Sequence, residues 1–263
     1  MFHSGGCFLR AFIPILAVFL AVGSTHAGIV AAYQTDYVAG TTTGQTRAER
    51  SADGWNYMTN SGGAIGTASN YTSLLWNPDA VLNRKTGGYT ITTGTYPTPT
   101  TDIYTGLFAN GVGHVGKGTS QPASGGINRY AIAAYTIQTG EAGALSLNNG
   151  VVTTTASTTY PLNVRVYVNN DLKQDYSGVN SSATLNFSGS LGSLIAGDTV
   201  YVAVGPTTAD FGGHFNLNFE IASVPEPGTL VLFTVGTITC ALGALRKRRK
   251  TTEQCEQTIP SGE

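Results

Sequence analysis

Along residues 162–169 apolar and other side chains alternate one for one, with Leu162, Val164, Val166 and Val168 set against Asn163, Arg165, Tyr167 and Asn169. A period of two places one set on a buried face, which is the signature of a β-strand. Asn169-Asn170-Asp171 follows as a turn signal before residues 172–176, so the pattern predicts a hairpin. Val200, Val202 and Val204 alternate in the same way with Thr199, Tyr201 and Ala203, directly after Ala196-Gly197-Asp198. Phe215, Leu217, Phe219 and Ile221 alternate with Asn216, Asn218 and Glu220. Residues 127–138 are apolar on both faces, with Tyr130, Ile132 and Ala134 on one and Ala133, Tyr135 and Ile137 on the other, which predicts a central strand. None of these windows carries an apolar stripe at a period of 3.6 residues, so the body reads as all-β.

The first half is less regular. Residues 29–33, 72–76 and 89–92 read as strands, while Gly62-Gly63 and Tyr96-Pro97-Thr98-Pro99 break the pattern into loops. No shift of composition and no fixed-period repeat divides residues 28–222, which predicts one two-sheet sandwich. Composition agrees: 34 glycines and recurrent Thr, Ser and Asn supply turns, and 41% hydrophobic residues are enough for a core. A net charge of -1 leaves no electrostatic footprint for nucleic acid. The three cysteines, Cys7, Cys240 and Cys255, all lie outside residues 28–224, so the body has no disulfide, cysteine nucleophile or cysteine metal site.

The two ends have a different pattern. Arg10 precedes an apolar run at residues 11–23 that is too short to span a bilayer comfortably, and Thr25-His26-Ala27 supplies the small residues of a cleavage site. These features predict a signal peptide of residues 1–27, cut by signal peptidase after Ala27. At the other end Val224-Pro225-Glu226-Pro227 is followed by the uncharged residues 228–245 and then by Arg246, Lys247, Arg248, Arg249 and Lys250. As a helix the uncharged run rises about 27 Å, enough for one membrane span. The basic cluster would hold the polar tail 251–263 in the cytoplasm and leave the body outside. The two prolines cannot sit in a helix interior and mark an extended, accessible peptide at the membrane surface.

This order of motif, short span and basic cluster resembles the PEP-CTERM sorting signal, carried by Pro225, Glu226 and Pro227 within residues 223–250. The resemblance implies recognition and cleavage by an exosortase, with delivery to the cell surface or an extracellular polysaccharide matrix. It covers only the end of the chain. Residues 127–221, through Arg129-Tyr130-Ala131-Ile132, Val164 to Asn170, Ile195 to Val202 and Phe215 to Ile221, also look like the jelly-roll β-sandwich of many exported bacterial proteins, carbohydrate-binding modules among them.

Candidate chemistry in the body is sparse. His114 falls in Gly111-Val112-Gly113-His114-Val115-Gly116, read as a flexible loop with no adjacent carboxylate. Asp210 and His214 flank a turn and would meet a metal there, although a turn-capping Asp and a His at a strand start account for both residues. Asp171 and Asp175 are close in sequence, but a hairpin turn explains Asp171 without catalysis. Asp198 and Asp210 are turn carboxylates open to calcium, without a diagnostic spacing. No G-x-S-x-G, H-E-x-x-H or P-loop spacing occurs. For sugar stacking the candidates are Trp55, Tyr57 and Trp76, each next to an asparagine, with Tyr71 nearby; the competing reading places both tryptophans in the core.

The sequence therefore predicts an exported, exosortase-sorted surface or matrix protein, noncatalytic and without a cofactor, whose jelly-roll-like body binds polysaccharide. Two alternatives stand beside it: an exported glycoside hydrolase or lyase, and an adhesin or structural coat protein.

Overall fold

In the computed structural model the described residues are 28–61, 63–82, 84–91, 105–115, 128–155, 161–207 and 213–225. Their strands are β1 (Ile29–Ala32), β2 (Trp55–Thr59), β3 (Thr72–Ser73), β4 (Leu75–Leu82), β5 (Lys85–Thr90), β6 (Gly106–Phe108) and β7 (Val112–Val115). They continue with β8 (Ala131–Thr136), β9 (Gly143–Thr154), β10 (Leu162–Val168), β11 (Asp171–Val179), β12 (Thr184–Leu194), β13 (Thr199–Pro206) and β14 (Gly213–Ser223). The first sheet has the order β12-β9-β14-β7-β6-β5-β4, with β1 also paired to β14; the second has the order β11-β10-β13-β8-β2-β3. The strand pairs are antiparallel. Residues 28–224 form one compact unit.

Register explains the core. Val166 lies opposite Val202, Val202 opposite Ala133, and Ala133 opposite Tyr57, so one inward row crosses four strands of the second sheet. The next inward row runs Val168, Val200, Tyr135, Trp55. Facing them from the first sheet are Leu145, Leu147, Val152, Phe187, Phe215, Leu217, Phe219 and Ile221, all buried in the same cluster. Burying each of these large side chains contributes about 1.5–3 kcal/mol, and the aligned rows let two twisted sheets interdigitate.

The predicted hairpin forms as β10 and β11, and Asn169 takes the left-handed conformation (φ 53°) that its tight turn needs. The doubly apolar segment is β8, central between β13 and β2. Residues 63–71 fold over the outer face of the second sheet, where Tyr71 packs edge-on against Tyr201 at 5.0 Å and the Ala68 N–H donates to Asn170 Oδ1.

A single-turn helix, α1 (Arg47–Arg50), starts at a capping box: the Glu49 N–H donates to Thr46 Oγ1, and the Thr46 N–H donates to Glu49 Oε2. It carries the fully buried Arg47, whose Nη2 donates to Asp53 Oδ2 at 2.6 Å and to the Asp36 carbonyl at 3.0 Å. Burial opposes this charge, but the hydrogen bond to Asp53, with Tyr57 and the Asp53 carboxylate beside it, holds the guanidinium pKa above its ordinary value.

Candidate functional site

The outer face of the first sheet is polar because its inward positions take the large apolar residues. Asn186 on β12, Val151 on β9 and Asn218 on β14 are register neighbours and form one outward row. Thr184, Thr153 and Asn216 form the next row, with the two threonine hydroxyls 3.2 Å apart.

Between Leu147 and Gly150 strand β9 carries an extra residue relative to both neighbours, and Asn149 there has φ 51°. Such a bulge re-aims side chains. Asn149 is exposed, and its Nδ2 donates to Glu220 Oε2 at 2.7 Å. Beside the bulge lies an open groove of about 560 Å³, lined in part by Asn149, Val151, Asn186, Ser188 and Asn218, with the half-buried Tyr176 of β11 at its margin. The Tyr176 hydroxyl donates to Gln174 Oε1 at 3.2 Å and its ring packs 5.9 Å from Phe187, which ties the edge of the second sheet to the groove. The lining contains no Lys, Arg, His, Asp or Glu. It offers amides, which both donate and accept, a hydroxyl and an aromatic ring, in a volume suited to a small-molecule or oligomeric ligand.

The three aromatics considered for sugar stacking do not reach this surface. Trp55 is 1% exposed, Tyr57 is buried and Trp76 is 8% exposed. Trp55 and Tyr57 occupy inward positions of β2, and Trp76 packs edge-on against Tyr89 at 5.3 Å. Their rings are core, because an alternating strand sends such large apolar faces inward, and the stacking role expected for them is corrected accordingly. Tyr71 is covered as well, against Tyr201.

His114 is not in a loop, contrary to the expectation from its flanking glycines. It lies on β7, is 9% exposed and faces His214 directly across the β7–β14 pair. Burial lowers the His214 pKa. Asp175 accepts from Arg165 Nε at 3.2 Å, which gives it a structural partner, while Asp171 is exposed at the hairpin. Asp198 serves its turn: Oδ2 accepts the Ile195 N–H and Oδ1 accepts Asn169 Nδ2, and these bonds lower its pKa. Among the described residues no three His, Cys, Asp or Glu side chains come together as a metal site. Asp210 lies outside the described residues.

The sorting segment leaves the sheet at the end of β14. The Val224 N–H donates to the Ala144 carbonyl at 2.8 Å, and Pro225 follows directly. Ala27, Glu226, Pro227 and the cluster Arg246, Lys247, Arg248, Arg249 and Lys250 lie outside the described residues.

No curated protein matches the chain. Among solved structures it is similar to the Agl-KA catalytic domain (18% identity, TM-score 0.25), over 37% of this chain and 22% of that one. It is also similar to a family 35 carbohydrate binding module from Clostridium thermocellum (16% identity, TM-score 0.25), over 37% of this chain and 72% of that one. Likewise, it resembles an exo-beta-1,3-galactanase from Phanerochaete chrysosporium (11% identity, TM-score 0.22), over 70% of this chain and 30% of that one. Residues 223–250 match the model of the PEP-CTERM protein-sorting motif. The chain therefore carries a PEP-CTERM sorting signal directly behind an all-β body, and that signal implies an exported, exosortase-processed protein.

Proposed function

We propose that the body is a noncatalytic, polysaccharide-binding β-sandwich of the cell surface or extracellular matrix, using the outer-face groove around Asn149, Asn186 and Asn218. The observation that carries this reading is the groove's chemistry: three amides and Ser188 line an open groove, with Tyr176 at its margin and Glu220 bonded to Asn149 beside it. Amides meet sugar hydroxyls as both donors and acceptors, and a tyrosine ring packs on the apolar face of a pyranose. The neutral lining suits binding better than glycoside hydrolysis, which needs a carboxyl pair flanking the bond.

Delivery follows from the ends of the chain. Signal peptidase removes residues 1–27, the span at 228–245 holds the precursor in the inner membrane, and exosortase cuts near Pro225-Glu226-Pro227.

Affinity electrophoresis of residues 28–224 through gels containing the host's exopolysaccharide tests the binding. Retardation that weakens at least about tenfold in Asn186→Ala/Asn218→Ala supports the reading. Unretarded migration of the parent protein would move the role to a coat or protein-binding one.

A further inference from the structure

His114 and His214 are distant in sequence but adjacent in the first sheet. They are direct register partners on antiparallel strands β7 and β14, so both imidazoles leave the same face. Their ring centroids are 4.6 Å apart with planes at 83°. Directly opposed residues have Cβ atoms about 4.5–5.5 Å apart, a spacing from which two rings reach one point. Two imidazoles bound side by side to one ion, at metal–nitrogen distances of about 2.0–2.1 Å, put their centroids about 4.5–5 Å apart. The observed separation falls in that range. On its other flank His114 lies opposite Gly106. His114 is held by burial, whereas His214 is only half-buried and keeps the pair accessible.

The position gives such binding a consequence. In the first sheet the β14–β7 pair is the seam between β12-β9-β14 on one side and β7-β6-β5-β4 on the other. Its register is short, covering Gly213 to Asn216 opposite Val115 to Val112. An ion held by one histidine from each strand would staple that seam.

We infer that His114 and His214 form a two-imidazole site for a late first-row divalent ion, with Cu2+ preferred over Zn2+ and Ni2+. The described residues bring no third His, Cys, Asp or Glu to the pair. Such a site is open, unlike the closed four-ligand sites of structural zinc.

Untagged full-length protein in detergent, with Cys7, Cys240 and Cys255 alkylated and the two other histidines removed by His3→Asn and His26→Asn so that no N-terminal imidazole competes, is titrated with Cu2+ by calorimetry. The expected result is one ion per chain, a raised unfolding temperature, and affinity that falls at least about tenfold in His114→Asn and in His214→Asn. Electron paramagnetic resonance of the loaded parent protein should show two coordinated imidazole nitrogens, a readout that does not depend on how well a variant folds. Equal affinity in the double variant, a spectrum with fewer than two such nitrogens, or no binding at millimolar Cu2+ would overturn the assignment.

Discussion

Gly28 and Ser223 hold each other at the two ends of the body. The Gly28 N–H donates to Ser223 Oγ at 2.9 Å, and the Ser223 N–H donates back to the Gly28 carbonyl at 2.9 Å. The pairing continues inward, with Ile29 opposite Ala222 and Ala32 opposite Glu220. The residue after the expected signal-peptide cut thus lies beside the first residue of the sorting segment. Cleavage after Ala27 would turn the Gly28 N–H into an ammonium group and strengthen its bond to Ser223.

Ser223→Ala removes the side-chain acceptor and leaves the backbone bond. The expected cost is about 0.5–1.5 kcal/mol, felt mainly by β1. Hydrogen exchange should then quicken at Ile29 and Ala31 and stay unchanged in β10 and β13. Uniform acceleration across both sheets would show that the clamp supports the whole fold.

Sorting is tested at Pro225 and Glu226. Because the Val224 N–H is tied to Ala144, the motif begins one residue beyond the last sheet bond. Substitution of Pro225 or Glu226 is expected to leave an uncut, membrane-held precursor, seen by blotting membrane and medium fractions. Release at the parental level would mean that the chain is processed elsewhere.

Strands are legible in the sequence where their alternation is regular. In β10 and β13 the inward valines are unbroken, and Val164 pairs with Val204 and Val166 with Val202. In β14 the inward series Phe215, Leu217, Phe219 and Ile221 is equally continuous. β9 and β12 are not readable in this way, although they build the groove. In β9 the inward residues pass from Leu145 and Leu147 to Gly150 and Val152, because the bulge at Asn149 shifts the phase by one. In β12 a second shift between Ser190 and Gly192 does the same. Asn186 and Asn218 therefore give no signal as a pair, since only register places them on either side of Val151. Trp55 and Tyr57 mislead for a related reason: neighbouring asparagines look like a sugar site until β2 turns both rings inward. His114 reads as a loop residue because its flanking glycines suggest flexibility, whereas Gly113 is small to admit the Phe215 ring.

Arg47 and Asp53 supply a stability test. Asp53→Asn leaves a buried guanidinium without its carboxylate; because the Asp53 side chain is itself 37% exposed and partly screened, the expected loss is about 1–2 kcal/mol in denaturant unfolding. A change below about 0.5 kcal/mol would show that the Asp36 carbonyl and water suffice.

Alkaline pH should unfold the body through its tyrosines. Burial pushes Tyr71 and Tyr89 up to about 12 and Tyr33 well above its ordinary 10.0. A raised folded-state value means that this contribution is intact below about pH 10, the unfolded value, and is lost as pH rises through it toward 12 and beyond. Tyrosinate absorbance and loss of the far-ultraviolet β signal should rise together above about pH 10. Ionisation of every tyrosine near pH 10 with the fold intact would contradict the buried cluster.

The most direct measurement is nuclear magnetic resonance of the isotope-labelled body titrated with the host's exopolysaccharide. Saturable shifts concentrated on the side-chain amides of Asn149, Asn186 and Asn218, with Tyr176 affected and the core resonances of Trp55 and Trp76 still, are the predicted result. Shifts confined to another face, or none at all, would contradict the groove as a polysaccharide site.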